Sequence, residues 1–245
     1  VPGVEPGRGG PGLALREGIP ASMRTMIVVP ALLTSRAATE ALLERLEVHY
    51  LASAHGELHL AVLLDWTDAR TEHSDSDEML LRVALDGIDR LNQTHEAPSQ
   101  GARFYALHRR RIWSESQQRW MGYERKRGKL HELNQLLRGS ADTTFVASGA
   151  RPLPTDVRYV ITLDADTRLP RETVRRLVGK LAHPLNQPRF DAGTGRVIEG
   201  HAVLQPRVTP SLPTGMEGSL FQRTFSTVAG IDPYSAAVSD VYQDL

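Results

Sequence analysis

Met26-Ile27-Val28-Val29 is an unbroken apolar run that stops at Pro30, and between Ala37 and Ala52 the residues Leu42, Leu43, Leu46 and Tyr50 recur at helical spacing. The pair predicts a strand followed by a helix. The pattern then repeats. Leu58 to Leu64 is a second apolar strand, broken by Asp65-Trp66-Thr67-Asp68. A helix is predicted from about Ser76 to Asn92, with Leu80, Ala84, Ile88 and Leu91 as its buried stripe and Asp75 with Glu78 as a capping pair. Arg103 to Leu107 reads as a weaker strand. An irregular segment follows, carrying His108-Arg109-Arg110-Arg111, Trp113 and Trp120. Lys129 to Arg138 predicts a helix with Leu130, Leu133, Leu136 and Leu137 on its apolar face and Gly139 as its stop. Tyr159 to Leu163 predicts a buried strand, and Pro170 opens an amphipathic helix over about Arg171 to Leu181. Gly193 and Gly195 mark a turn, and Val203 to Val208 predicts a last strand.

Strands alternating with helices at this spacing predict an α/β fold, a mostly parallel sheet flanked by helices with right-handed crossovers. The length of 245 residues fits one sizeable domain, assigned to 23–245, after a Gly/Pro-rich linker or extended lead-in over 1–22. The chain starts at Val1 and stops at Tyr242-Gln243-Asp244-Leu245 without a terminating signal, which reads as a piece of a longer protein and predicts an incomplete domain. The 29 basic residues balance 29 acidic ones, so no global field favours a nucleic acid partner or a polybasic membrane tail. With no cysteine there are no disulfides and no thiolate metal sites. No run approaches the roughly 18 apolar residues of a membrane span, and the N-terminus lacks the layout of a signal peptide, so this stretch is expected to be soluble.

The candidate chemistry gathers where strands end. Asp164-Ala165-Asp166-Thr167 closes the strand from Tyr159. Side chains at i and i+2 leave one strand face about 6–7 Å apart, so both carboxylates can converge on one divalent ion or polar ligand. Ligands of open α/β sheets gather outside the carboxyl ends of strands, and two carboxylates suit Mg²⁺ or Mn²⁺. The plainer alternative is that the two aspartates cap the next helix or solvate a loop. Asp65 and Asp68 end the second strand on the same edge. Either can bond a nucleobase or ribose, or simply close a turn. The run Arg125 to Asn134 puts basic residues and a glycine at a helix start, where free N–H groups and the dipole attract anions. Arg127 and Lys129 are the candidates for a phosphate cradle, whereas Arg125 and Lys126 read as a solvated face. His108 to Arg111 is expected to be solvated or lipid-facing. Trp113 and Trp120 stack on sugar rings or, more commonly for Trp, pack in the interior. The histidines show no paired spacing and none is assigned to metal.

Taken in order, Gly18-Ile19-Pro20, Val28-Val29-Pro30, Leu64-Asp65-Trp66, His108-Arg109-Arg110-Arg111, Trp120-Met121-Gly122, the run Glu124 to Asn134 and Leu163-Asp164-Ala165-Asp166-Thr167 resemble the nucleotide-sugar half of processive inverting glycosyltransferases with the GT-A fold, as in cellulose-synthase-like enzymes. The match is closer still to the cyclic β-1,2-glucan synthase family, from about Arg16 to Leu245. The resemblance implies UDP-glucose as donor, a growing glucan as acceptor, Mg²⁺ or Mn²⁺ at Asp164 and Asp166, and inverting transfer that builds β-1,2-glucan. It implies that Asp65 touches the uracil, Lys129 the diphosphate and Asp166 the metal, with Asp164 supporting the metal or the ribose. It also implies a bacterial parent at the cytoplasmic face of the inner membrane, whose remaining domains include membrane-spanning helices and a phosphorylase-like unit.

In related enzymes the catalytic base and the acceptor motif follow well after the D-x-D. Here only Glu217, Asp232, Asp240 and Asp244 lie near the end and none matches a base motif, so the base is unassigned and donor binding without turnover is expected. Two rival readings remain. A haloacid-dehalogenase-like phosphatase also uses a strand followed by D-x-D-x-T, yet here the motif comes late, Lys180 is the only later lysine and no adjacent acidic pair follows. The other rival is a non-catalytic nucleotide-binding or interaction fragment.

Overall fold

The computed structural model describes residues 11–53, 56–146 and 151–206. The chain divides into two units, Val1–Gly200 and His201–Leu245, and every element described lies in the first. Its centre is a five-stranded sheet of β1 (Thr25–Leu33), β2 (Leu58–Trp66), β3 (Phe104–Arg109), β6 (Phe145–Val146) and β7 (Tyr159–Thr162), in the order β6-β3-β2-β1-β7. All pairings are parallel except that of β6 with β3.

The apolar runs are continuous because both faces of the sheet are covered. Ile27, Val29, Leu58, Leu60, Val62, Leu64 and Phe104 pack with α1 (Arg36–Ser53), α2 (Asp77–Thr94) and α4 (Thr173–Ala182). The alternate residues Met26, Val28, Ala61, Leu63, Tyr105 and Leu107 turn to the opposite face, against Leu133 of α3 (Arg125–Leu137). Each fully buried Val, Leu or Ile contributes about 1.5–3 kcal/mol, so these strands are fixed in register by their two-residue period. The result is the predicted α/β fold, a Rossmann-like, mostly parallel sheet flanked among the described residues by four helices.

Several boundaries differ from the sequence reading, each for a local reason. β1 does not stop at Pro30 but runs to Leu33. Its pairing with β7 covers only Thr25 to Val28, so from Val29 onward β1 is bonded on the β2 side alone, where a residue without an N–H is tolerated. At the start of α2 the carboxylate of Asp77, rather than an Asp75–Glu78 pair, accepts from the Ser74 N–H at 2.9 Å. The segment with the tryptophans is a hairpin of β4 (Ile112–Ser114) and β5 (Arg119–Met121), in which Trp113 faces Trp120 with ring centroids 5.9 Å apart. Gly195, at φ +67°, sits in the turn between β8 (Arg189–Phe190) and β9 (Val197–Glu199). Of the strand predicted over Val203 to Val208, residues 203–206 are irregular and the rest lies outside the described residues.

From residue 11 onward the lead-in is tied to the domain. The Leu13 N–H donates to the Gly179 carbonyl at 2.9 Å, and Ile19 is buried in a bridge beside Gly56. No helix among the described residues is long and apolar enough to cross a membrane.

Candidate functional site

The parallel pairings bring the carboxyl ends of β1, β2, β3 and β7 to one edge. Because β2 and β3 extend the sheet on one side of β1 and β7 on the other, the strand order reverses between β1 and β7, which is where open α/β sheets hold ligands. Asp164-Ala165-Asp166 leaves the sheet at that point. The strand expected to carry them ends at Thr162: the Leu163 N–H still donates to the Val28 carbonyl at 2.9 Å, and the Thr167 N–H then closes a turn on the Asp164 carbonyl at 3.0 Å. Nor is β7 buried on both faces. Among the described residues it pairs only with β1, and Val160 and Thr162 are exposed. The alternation survives the turn, since Leu163 is buried and Ala165 half-buried while Asp164 and Asp166 are exposed. Two exposed carboxylates separated by one residue fit a hard divalent cation, which takes one or two carboxylates and fills its shell with water and phosphate oxygens.

Asp65 has a different fate. The two-residue period of β2 turns it to the α3 face, where it meets Arg109 of β3 from the neighbouring strand. Arg109 Nε and Nη2 donate to the two Asp65 oxygens at 2.8 and 2.9 Å, a bidentate pair, while Nη1 donates to Glu132 at 2.9 Å and to the Tyr123 carbonyl at 3.1 Å. A second bond from Nη2 reaches the Arg125 carbonyl at 3.0 Å. All five guanidinium donors are used, and the side chain is fully buried. Lys129 completes the group. Its ammonium donates to the Ala31 carbonyl at 2.9 Å and the Leu63 carbonyl at 3.0 Å, and lies 3.0 Å from Asp65.

Burial acts to lower the Lys129 pKa, against the pull of Asp65, and the net shift is downward. For Arg109 burial also lowers it, but the bonds to Asp65 and Glu132 outweigh this and hold the guanidinium above its ordinary value. Burial would raise the Glu132 carboxyl, yet bonds from Thr144 and the charge of Arg109 bring it below its usual range. In this structure, then, Asp65 and Lys129 form the floor beneath the rim and present no free group to a uracil or a diphosphate. Sequence reasoning missed Glu132 and Arg109. The signal was available in the strand period: carrying Arg103 to Leu107 on to Arg109 turns that arginine inward on the face of Asp65.

The same period corrects the expectation that His108 to Arg111 is solvated. His108 points to the opposite face, edge-on to Trp66 with centroids 4.6 Å apart, and Arg111 lies over Trp66 and bonds Asp77 of α2 at 2.5 and 3.1 Å. Only Arg110 of the four is exposed.

Gly122 is required where it stands. A Cβ there would lie 2.7 Å from the Asp65 carboxylate and 2.9 Å from Arg109 Nη2. Gly122→Ala is therefore expected to cost about 1–3 kcal/mol through overpacking of the ion group, read as a lower urea midpoint with an unchanged slope.

The first turn of α3 stands at the rim. Arg125 bonds Asp68 at 2.7 Å and the Lys126 ammonium contacts Asp164, so the residues expected to form a solvated face are those that meet the candidate carboxylates. Arg127 is exposed, 3.5 Å from Glu124, and lines a cleft of about 430 Å³ with Arg110, Tyr123 and His131. Glu124 and Arg125 enter the helix at φ 44° and 49°, a left-handed pair whose carbonyl neighbours Arg109 holds. The amides of Lys126 and Arg127 have no acceptor among the described residues, so the positive end of the helix is open. The base candidates Glu217, Asp232, Asp240 and Asp244 lie outside the described residues.

No family model matches the chain. It is similar to the cyclic beta-(1,2)-glucan synthase NdvB of Rhizobium meliloti (strain 1021), with 50% identity over 234 residues, 96% of this chain. The chain spans 8% of the length of that protein. The resemblance to the cyclic β-1,2-glucan synthase family drawn from the motifs is borne out over this segment.

Proposed function

We propose that this chain is the donor-binding part of an inverting GT-A-type glycosyltransferase that transfers glucose from UDP-glucose to a growing β-1,2-glucan, assisted by Mg²⁺ or Mn²⁺ at Asp164 and Asp166. The observation that carries the proposal is the exposed carboxylate pair at the switch point beside the open N-terminus of α3, in a chain half identical to a segment of a glucan synthase. A divalent cation held there would neutralise charge on the departing diphosphate. As the bond to the sugar breaks, the anomeric carbon gains oxocarbenium character and negative charge gathers on the leaving oxygens. The free amides of Lys126 and Arg127, at the positive end of the helix, would hold that charge without reorganising. Asp68, half-buried and bonded to Arg125, is the remaining carboxylate at the rim for the ribose or base.

The reading is tested by calorimetric titration of UDP-glucose into the chain with Mn²⁺ and again in chelator. Binding is expected with Mn²⁺ and at least tenfold weaker without it, and Asp166→Ala should weaken it at least tenfold, about 1.4 kcal/mol. Equal binding in both conditions would remove the cation from the proposal. Absence of binding to this chain and to a longer stretch of the parent protein would sink the donor assignment.

A further inference from the structure

Lys129 carries the lysine position that best fits a phosphate cradle by sequence, yet its three N–H donors are spent on Ala31, Leu63 and Asp65. Arg125, the next cation at the rim, is held by Asp68 at 2.7 Å. The ammonium that remains is that of Lys126, which contacts Asp164 in an ion pair with both side chains more than half exposed. Lys126 sits on the same turn of α3 as the two open amides, so a short movement of an exposed, flexible side chain carries its charge from the carboxylate to an anion bound at the helix end.

We infer that Lys126 is an exchangeable counter-ion of the site, neutralising Asp164 while no divalent cation is bound and passing to the donor's diphosphate once a cation takes the carboxylate. The inference rests on the donor-binding reading of the site and adds to it a competition and a hand-over. Asp164 cannot serve an ammonium and a metal ion equally well at one oxygen. Removing the ammonium therefore frees the carboxylate for the cation and deprives the phosphate of a charged donor. The two effects have opposite signs, which no general loosening of the fold produces.

The test is Lys126→Gln in the full 245-residue chain, with two titrations: Mn²⁺ alone, and UDP at saturating Mn²⁺. Mn²⁺ is expected to bind about two- to fivefold more tightly, the range of an exposed ion pair. UDP is expected to bind about tenfold more weakly, as befits a lost charge-assisted bond. If Mn²⁺ affinity is unchanged or weaker, or UDP affinity is unchanged, the hand-over is wrong while the site itself stands. If the unaltered chain binds no Mn²⁺ either alone or with UDP, the cation leaves the site and the hand-over is wrong with it, while the donor assignment is judged separately by UDP-glucose binding in chelator. Lys126 is exposed, so the variant is expected to keep the unfolding midpoint of the parent, which separates the result from misfolding.

Discussion

Arg109→Ala is expected to destabilise the chain by about 3–5 kcal/mol, the cost of breaking a buried ion group by removing one partner. The size follows from what is left behind. Asp65 loses both bonds of its bidentate pair and Glu132 loses its cation in a buried layer, and at its half-buried edge the Tyr123 and Arg125 carbonyls lose a donor. A typical domain holds only about 5–15 kcal/mol in total, so the variant should unfold at a much lower urea concentration. Arg109→Lys should recover little, because an ammonium has three donors where the guanidinium uses five in a planar fork. A loss below about 1 kcal/mol for Arg109→Ala would show that the group is a bystander.

The second large effect concerns acid. His108 is buried, and neither ring nitrogen has a hydrogen-bond partner among the described residues. Burial pushes its pKa from 6.5 down to about 4, against the pull of Asp65 and Asp77 and with some help from Arg111. Unfolded, it returns to its ordinary value, so between those limits the unfolded chain binds the extra proton and stability rises with pH. The stability is complete above about pH 6.5 and is lost as pH falls toward 4. The displacement corresponds to on the order of 3 kcal/mol at its end.

His49 and His59 are shifted downward by burial as well and add loss of the same sign. For His59 the geometry fixes the tautomer: Nδ1 lies 2.7 Å from the Ala102 carbonyl, which can only accept, and Nε2 has no partner among the described residues. Urea unfolding at pH 7 and pH 4.5 measures the loss, and His108→Phe, which keeps an aromatic edge against Trp66, should flatten the part that belongs to His108. An unchanged pH dependence in that variant would assign the loss to the other histidines.

Much of the fold was legible because it follows from periods. Leu42, Leu43 and Leu46 announced α1, and Leu58 to Leu64 announced a strand covered on both faces, since packing of this kind leaves a pattern in the chain itself. The ends of elements were less legible, because what stops a strand is often its neighbour. Pro30 breaks nothing, since β7 has already left the sheet at Thr162. The site was legible in part. The carboxylates of Asp164 and Asp166 are exposed on the rim as the motif suggested, although in a turn rather than on a strand face. The roles of Asp65, Lys129 and Arg109 were not legible. A charged residue reads as solvated until its partner is known, and here the partners are far apart in sequence and meet only when β2, β3 and α3 assemble.

That buried group also has an electrical meaning. Asp65 and Glu132 are opposed by Arg109 and Lys129, two negative and two positive charges enclosed within a few ångströms. Their sum is zero, so from the rim outward their fields largely cancel. A diphosphate bound at the sheet edge as proposed would then meet chiefly the potential of the rim groups, among them Lys126, Arg125, Arg127, Asp68, Asp164 and Asp166. Neutralising one inner charge, as in Asp65→Asn, would leave a net unit charge in a low-dielectric layer just below the site, where water screens it poorly. The interior is thereby constrained to remain balanced, while the exposed residues can be changed to tune the local attraction for anions.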